Sequence, residues 1–230
     1  MIRAVAFDLD NTLINFMSFK RKSALAAARA MVRNGLNGNP GKMAKEIFEV
    51  YDEYGIEYQK TFSTYQWKKG IRDINKIEKI QQAAIVAYLD CKFHVLRPYR
   101  GVVPLLKRLR KRGLKICLVT DATRKNAWRR LAVSGLQNLF DLVVTHDDTG
   151  EFKPHPSPFK ILLKKTKLRP EQIIFVGDNP HRDILGAKKM GMHTALADYG
   201  CEWPRKGATK ADFVLRRFGE LENALTKLTG

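Results

Sequence analysis

From residue 98 onward the chain alternates between two textures, and this alternation restricts the fold more than any other feature. Short apolar runs recur: LKICLVT (114–120), FDLVVT (140–145), IIFVGD (173–178), HTALAD (193–198) and DFVL (212–215). Runs that are apolar on both faces belong to a parallel sheet covered on both sides. Between them lie segments whose apolar residues recur every three or four positions, as on an amphipathic helix. PLLKRLRKRG stops at Gly113, a common helix terminator, and RKNAWRRLAVSGL, PFKILLKKTKL and DILGAKKMG follow in turn. Ser157-Pro158 reads as an N-cap and first helical residue, and Pro170 opens a short helix before the next strand. The last helix carries Leu221, Leu225 and Leu228 on one side. Residues 2–7 add a strand at the start. The pattern predicts an α/β fold: a doubly wound, parallel, Rossmann-like sheet with helices on both faces.

Residues 16–94 break the alternation. KSALAAARAMV, KMAKEIFEVYDEY and KIEKIQQAAIVAYLD all have helical spacing, with Asn34-Gly35 and NGNPG (37–41) separating the first two. Phe62, Tyr65 and Trp67 read as the core of this insertion. The expected organisation is a sheet domain from 1–15 and 95–230, and a small α-helical domain from 16–94. A chain of 230 residues is long enough for both.

The formal charge is +19, from 42 Lys and Arg against 23 Asp and Glu, so the surface should attract anions. Much of the excess sits on helices such as KRLRKRG (107–113), where basic residues flank an apolar stripe and read as a solvated face. Three cysteines, widely spaced, argue against a disulfide framework, and Cys117 reads as a small buried hydrophobe. No apolar stretch reaches membrane-spanning length, and the start lacks the pattern of a secretory signal, so a cytoplasmic location is expected.

In an open parallel sheet, ligands bind beyond the C-terminal ends of the strands. Asp8 and Asp10, Thr120 and Asp178 directly follow predicted strands, and Asp183 lies just beyond the last of these. Carboxylates crowded into one crevice repel one another and lose hydration, and a cation removes that cost. No thiolate or histidine cluster has transition-metal spacing. Hard oxygen donors favour magnesium, and a phosphate oxygen would complete its shell.

DLDNT (8–12), LVT (118–120), Lys153 within FKPHPSPF, and GDNPHRD (177–183) occur in an order that resembles the haloacid dehalogenase-like hydrolases. The helical insertion falls where that family places a cap. The resemblance implies that Asp8 is a nucleophile forming an aspartyl-phosphate. It implies that Asp10 is the general acid and then base, with its backbone carbonyl facing a metal. Thr120 and Asp121 would help hold the phosphoryl group, and Lys153 would neutralise charge on it and on Asp8. Asp8, Asp10, Asp178 and Asp183 would form the Mg2+ site. Backbone N–H groups near Leu9 and Asp121 would share the phosphoryl oxygens. His155 and His181 read as rim residues. An alternative role for Asp183 is a plain N-cap.

The implied activity is magnesium-dependent phosphomonoester hydrolysis of a small phosphorylated metabolite. The presence of Asp10 favours this over attack on carbon, which needs no acid for a departing halide. A phosphomutase using the same groups is one alternative. A basic nucleic-acid-binding protein on a hydrolase sheet is another, but the chain lacks a zinc finger, an aromatic RNA-binding pattern and a helix-turn-helix, so nucleic acid is not the expected partner. A structural or regulatory role would fit better had an acid or the lysine been lost. Phe16, Phe19, Lys20 and Arg21 are candidate specificity residues, and Lys20-Arg21-Lys22 could meet a second acidic group. No membrane association is expected. Monomer and homodimer both remain open.

Overall fold

The computed structural model describes residues 1–204 and 210–229. The apolar runs are strands: β1 (Ala4–Phe7), β2 (Lys115–Val119), β3 (Leu142–Val144), β4 (Ile173–Gly177), β5 (His193–Ala197) and β6 (Phe213–Leu215). They form one sheet in the order β3-β2-β1-β4-β5-β6, and every pairing is parallel. The chain winds outward from β1 in one direction, then returns to wind outward in the other. β1 is therefore central, with Phe7 in register with Leu118 on one side and Val176 on the other. Strand order reverses at β1, and the crevice at such a switch is where doubly wound sheets bind ligands.

Alternate strand residues serve the two faces. Ala4, Ala6, Cys117, Val119, Ile173 and Phe175 pack with Phe159 and Leu162 of α7 (Pro156–Thr166) and Ala187 of α8 (Leu185–Lys189). The opposite face carries Val5, Phe7, Ile116, Leu118, Ile174 and Val176, all buried. Phe7 meets the ring of Phe218 at 5.9 Å. Each fully buried Leu or Phe contributes about 1.5–3 kcal/mol. Burial pushes the Cys117 thiol up to about 12, which suits a packing role. In α5 (Val102–Lys111), Leu105, Leu106 and Leu109 are buried while Lys107, Arg108, Arg110 and Lys111 face solvent. The helix ends as Gly113 takes φ 80° and the Leu114 N–H returns to the Leu109 carbonyl at 3.2 Å. In α9 (Leu221–Thr229), Leu221, Ala224 and Leu225 are buried, whereas Leu228 is half-buried.

Two helix starts differ from expectation. α7 begins at Pro156, not after Ser157, and its cap is His155, whose Nδ1 accepts from the Ser157 N–H at 3.3 Å. Pro156 already supplies the fixed φ of a first helical residue, so the second proline falls inside the first turn. The segment after β4 starts with a π-helical turn, Pro180–Ile184, which runs into α8. Its cap is Asn179, whose Oδ1 accepts from the His181 and Arg182 N–H groups at 2.9 and 3.0 Å. Asp183 lies within that turn and is not the cap.

By backbone contacts the chain divides into one unit of residues 1–15 and 97–230, and a second of Phe16–Leu96. The second contains α1 (Phe16–Arg33), α2 (Pro40–Tyr54), α3 (Thr61–Lys68) and α4 (Ile74–Val95). Asn39 caps α2 and Asp73 caps α4, each accepting a backbone N–H at 3.0 Å. Ala24, Ala27, Ala28 and Met31 of α1 join Ile47, Val50, Phe62, Tyr65 and Ile80 in its core. Trp67, expected in that core, is about half exposed. No helix among the described residues is long and apolar enough to cross a membrane.

Candidate active site

β1 ends at Phe7, and the next backbone N–H, that of Asp8, still pairs with Val176 O at 2.9 Å. The Asp8 carboxylate therefore emerges at the switch point while its backbone stays anchored in the sheet. Asn11 then takes φ 59°, and its N–H bonds Ile14 O at 2.8 Å, turning the chain back. The loop after β5 presses on this turn: a Cβ on Gly200 would lie 1.7 Å from Asn11 O, so only glycine fits there. Tyr199 donates its hydroxyl to Thr12 O at 2.7 Å and holds the same turn.

Lys153 stands between β3 and α7 and is buried. Its backbone N–H donates to Asp121 Oδ1 at 2.9 Å, which fixes the loop against the residue after Thr120. Its Nζ donates to Asp8 Oδ1 at 2.7 Å and to Val119 O at 3.0 Å, and lies 2.7 Å from Asp183 Oδ1. Asp183 reaches this point because residue 177 is glycine. A Cβ there would sit 2.4 Å from the Asp183 side chain. The second Asp183 oxygen accepts the Asn179 N–H at 3.0 Å.

Asp8, Asp178 and Asp183 offer carboxylate oxygens that lie within 4.8 Å of one another, all buried. Thr12 Oγ1 bridges two of them, at 3.3 Å from Asp8 Oδ2 and 3.5 Å from Asp178 Oδ1. The Trp203 indole N–H donates to Asp178 Oδ2 at 3.1 Å. Burial raises the Asp178 carboxyl well above the usual range, and the charges of Asp8 and Asp183 add to it. Burial also pushes Asp183 up to about 7, against the pull of Lys153. Burial lowers the Lys153 ammonium, but Asp183, Asp8 and Asp121 more than reverse this and hold it charged. Among the described residues, Lys153 is thus the ammonium that Asp8 and Asp183 share, with Asp178 beside them. A divalent cation placed among them would offset the remaining negative charge, and the donor set is all oxygen, as hard cations prefer.

The remaining expected residues are placed as follows. Thr120 is buried, and its Oγ1 accepts the Ala122 N–H at 3.2 Å, leaving the hydroxyl hydrogen to donate. Asp121 Oδ2 receives Arg182 Nη1 at 3.3 Å. Asp10, expected among the metal-holding carboxylates, is not one of the three gathered within 4.8 Å of one another; its Oδ2 is ion-paired with Arg130 Nη1 of α6 (Arg124–Val133). His155 and His181 are exposed. In the helical unit Phe16, Phe19 and Lys20 are buried, whereas Arg21 and Lys22 are exposed.

Sequence reasoning assigned no role to Thr12, Arg130, Arg182, Tyr199 or Trp203. Thr12 was within reach, since it closes the DLDNT motif. Trp203 carried no signal, because its bond to Asp178 spans two loops far apart in sequence.

A model of the haloacid dehalogenase-like hydrolase family matches residues 2–191. A glyceraldehyde 3-phosphate phosphatase of Methanopyrus kandleri is 33% identical, covering 99% of each chain. A pyrophosphatase PpaX of Bacillus cereus is 31% identical over 99% of this chain and 98% of its own. A HAD phosphatase structure from Thermococcus onnurineus covers 97% of this chain and 98% of its own, with TM-score 0.64 and 24% identity.

Proposed function

The chain belongs to the haloacid dehalogenase-like hydrolases and is a phosphatase, and on that premise we propose that it hydrolyses a small phosphomonoester through an aspartyl-phosphate on Asp8. The observation that carries this reading is the Lys153 ammonium held between Asp8 and Asp183 at the sheet's switch point. Lys153 orients the Asp8 carboxylate and offsets its charge as a phosphate approaches. Asp8 needs no deprotonation to attack phosphorus. Thr120 has a hydroxyl hydrogen to give to a phosphoryl oxygen. Asp10 transfers the proton: to the leaving oxygen first, then from the water that opens the intermediate.

Asp8, Asp178 and Asp183 would hold Mg2+, with the Asp10 backbone carbonyl as a fourth contact. The ion would supply positive charge against the incoming phosphoryl group. Thr12 and Trp203 orient the carboxylates around that position.

Relatives named for glyceraldehyde 3-phosphate make a three-carbon phosphate the leading substrate, and the PpaX match makes pyrophosphate the second candidate. A panel of glyceraldehyde 3-phosphate, pyrophosphate and p-nitrophenyl phosphate, assayed with Mg2+ and with EDTA, tests this. Hydrolysis should require Mg2+, favour the triose phosphate, and vanish in Asp8→Asn. Turnover that persists in Asp8→Asn contradicts the mechanism. A preference for pyrophosphate overturns the substrate assignment alone.

A further inference from the structure

Arg130 is a charge buried on the inward stripe of α6. Its neighbour Arg129 points to solvent, yet Arg130 is 2% exposed and shares the buried stripe of Ala127 and Leu131. A desolvated guanidinium persists only with good partners. Here its Nη1 meets Asp10 Oδ2, 120 residues away in sequence. The backbone beneath it is fixed as well: Arg130 O accepts the Ser134 hydroxyl at 2.7 Å and the Ser134 N–H at 3.0 Å. The Asp10 side chain is 26% exposed, while its other carboxylate oxygen, Oδ1, is buried beside the pair.

We propose that Arg130 is a positioning residue that holds Asp10 as an oriented carboxylate for hydrolysis of the phosphoenzyme. The inference rests on the reading above, in which Asp8 carries the phosphoryl group. In the second half-reaction a water oxygen bonds to phosphorus as the phosphorus–oxygen bond to Asp8 breaks. The electron pair of that bond returns to the Asp8 carboxylate, and the water proton passes to an Asp10 oxygen. That oxygen must be aimed at the water, and an arginine on the neighbouring oxygen fixes the direction of the carboxylate. A nitrophenolate leaves without needing a proton, so the first half-reaction with p-nitrophenyl phosphate makes little demand on Asp10.

The two halves can be read separately in the full chain with Mg2+. Arg130→Met keeps the length of the side chain and removes its charge. Misaiming Asp10 should lower kcat about 10- to 100-fold. kcat/KM for p-nitrophenyl phosphate should stay within about twofold, so KM falls with kcat. Stopped-flow traces should show a burst of one nitrophenolate per enzyme before slow turnover. Arg130→Lys should restore most of kcat. If Arg130→Met does not fold, Arg130→Lys carries the test: a smaller fall in kcat at unchanged kcat/KM supports the proposal. A parallel fall of kcat and kcat/KM, an unchanged or raised kcat, or a lysine no better than methionine overturns it. The wild type separates the two readings. If its acid-quenched form carries no phosphoryl group on Asp8, the mechanism itself fails, whereas a labelled wild type with no split in the variants removes only the role of Arg130.

Discussion

Lys153 and Lys20 are both buried, at 2% and 5% exposure, and the two units of the chain accommodate them differently. In the sheet unit, Lys153 sits among carboxylates that outnumber it. In the helical unit, Lys20 lies 4.0 Å from the Tyr51 ring centroid and 5.5 Å from that of Tyr88. The first arrangement leaves excess negative charge in a buried pocket, which a bound cation would offset. The second is a local contact between a cation and aromatic faces, of a kind that helps hold a helical core together. Lys153 is embedded in unbalanced charge, whereas the ring contacts of Lys20 are a form of helix packing.

The largest effect should come from Lys153→Met. It removes the ammonium paired with Asp8 and Asp183, and breaking a buried pair costs about 3–5 kcal/mol. Melting in EDTA should fall accordingly, and hydrolysis should drop by about 10³-fold even with Mg2+. An intact melting temperature would mean that Lys153 is not the counter-charge described.

The next effect concerns pH. Asp183 is pushed up to about 7 and Asp178 is raised well above its usual range, so both hold protons more tightly folded than unfolded. The folded chain then binds more protons than the unfolded one, and stability falls as pH rises from about 4 through about 7. In EDTA, thermal melts should move down between pH 5 and pH 8, and added Mg2+ should reverse the loss at pH 8. A flat profile in EDTA would break the contrast, because the pocket would then hold no excess charge.

The smallest effect should follow Lys20→Met. Losing the ring contact while keeping the stem in place costs about 0.5–2 kcal/mol. The loss should be the same with and without Mg2+ in chemical denaturation, unlike that of Lys153→Met. A magnesium-dependent loss would show that Lys20 shares the electrostatics of the sheet site.

The strands were legible because both faces of the sheet are covered, so each strand is an uninterrupted apolar run such as IIFVG. The positions of Asp8, Thr120 and Asp178 were legible because each directly follows a strand and strand ends can be read locally, whereas Lys153 lies in a loop and was pointed to only by the family resemblance. The beginning of α7 was misread because Pro156 and Pro158 both fit a first helical position and only His155 shows which one is capped. Arg130 was illegible for a different reason. In RKNAWRRLAV, two adjacent arginines look alike as a solvated face, and only the fold turns one of them toward Asp10. Tyr199 and Trp203 depend on how the loop after β5 meets the loops after β1 and β4, and local patterns carry no record of that.

The central claim is that Asp8 bonds to phosphorus. Turnover of p-nitrophenyl phosphate with Mg2+, quenched in acid and digested for mass spectrometry, tests it directly. The account predicts one phosphoryl group on the peptide containing Asp8, localised to that side chain and absent from Asp8→Asn. Steady turnover with that peptide always unmodified would contradict it.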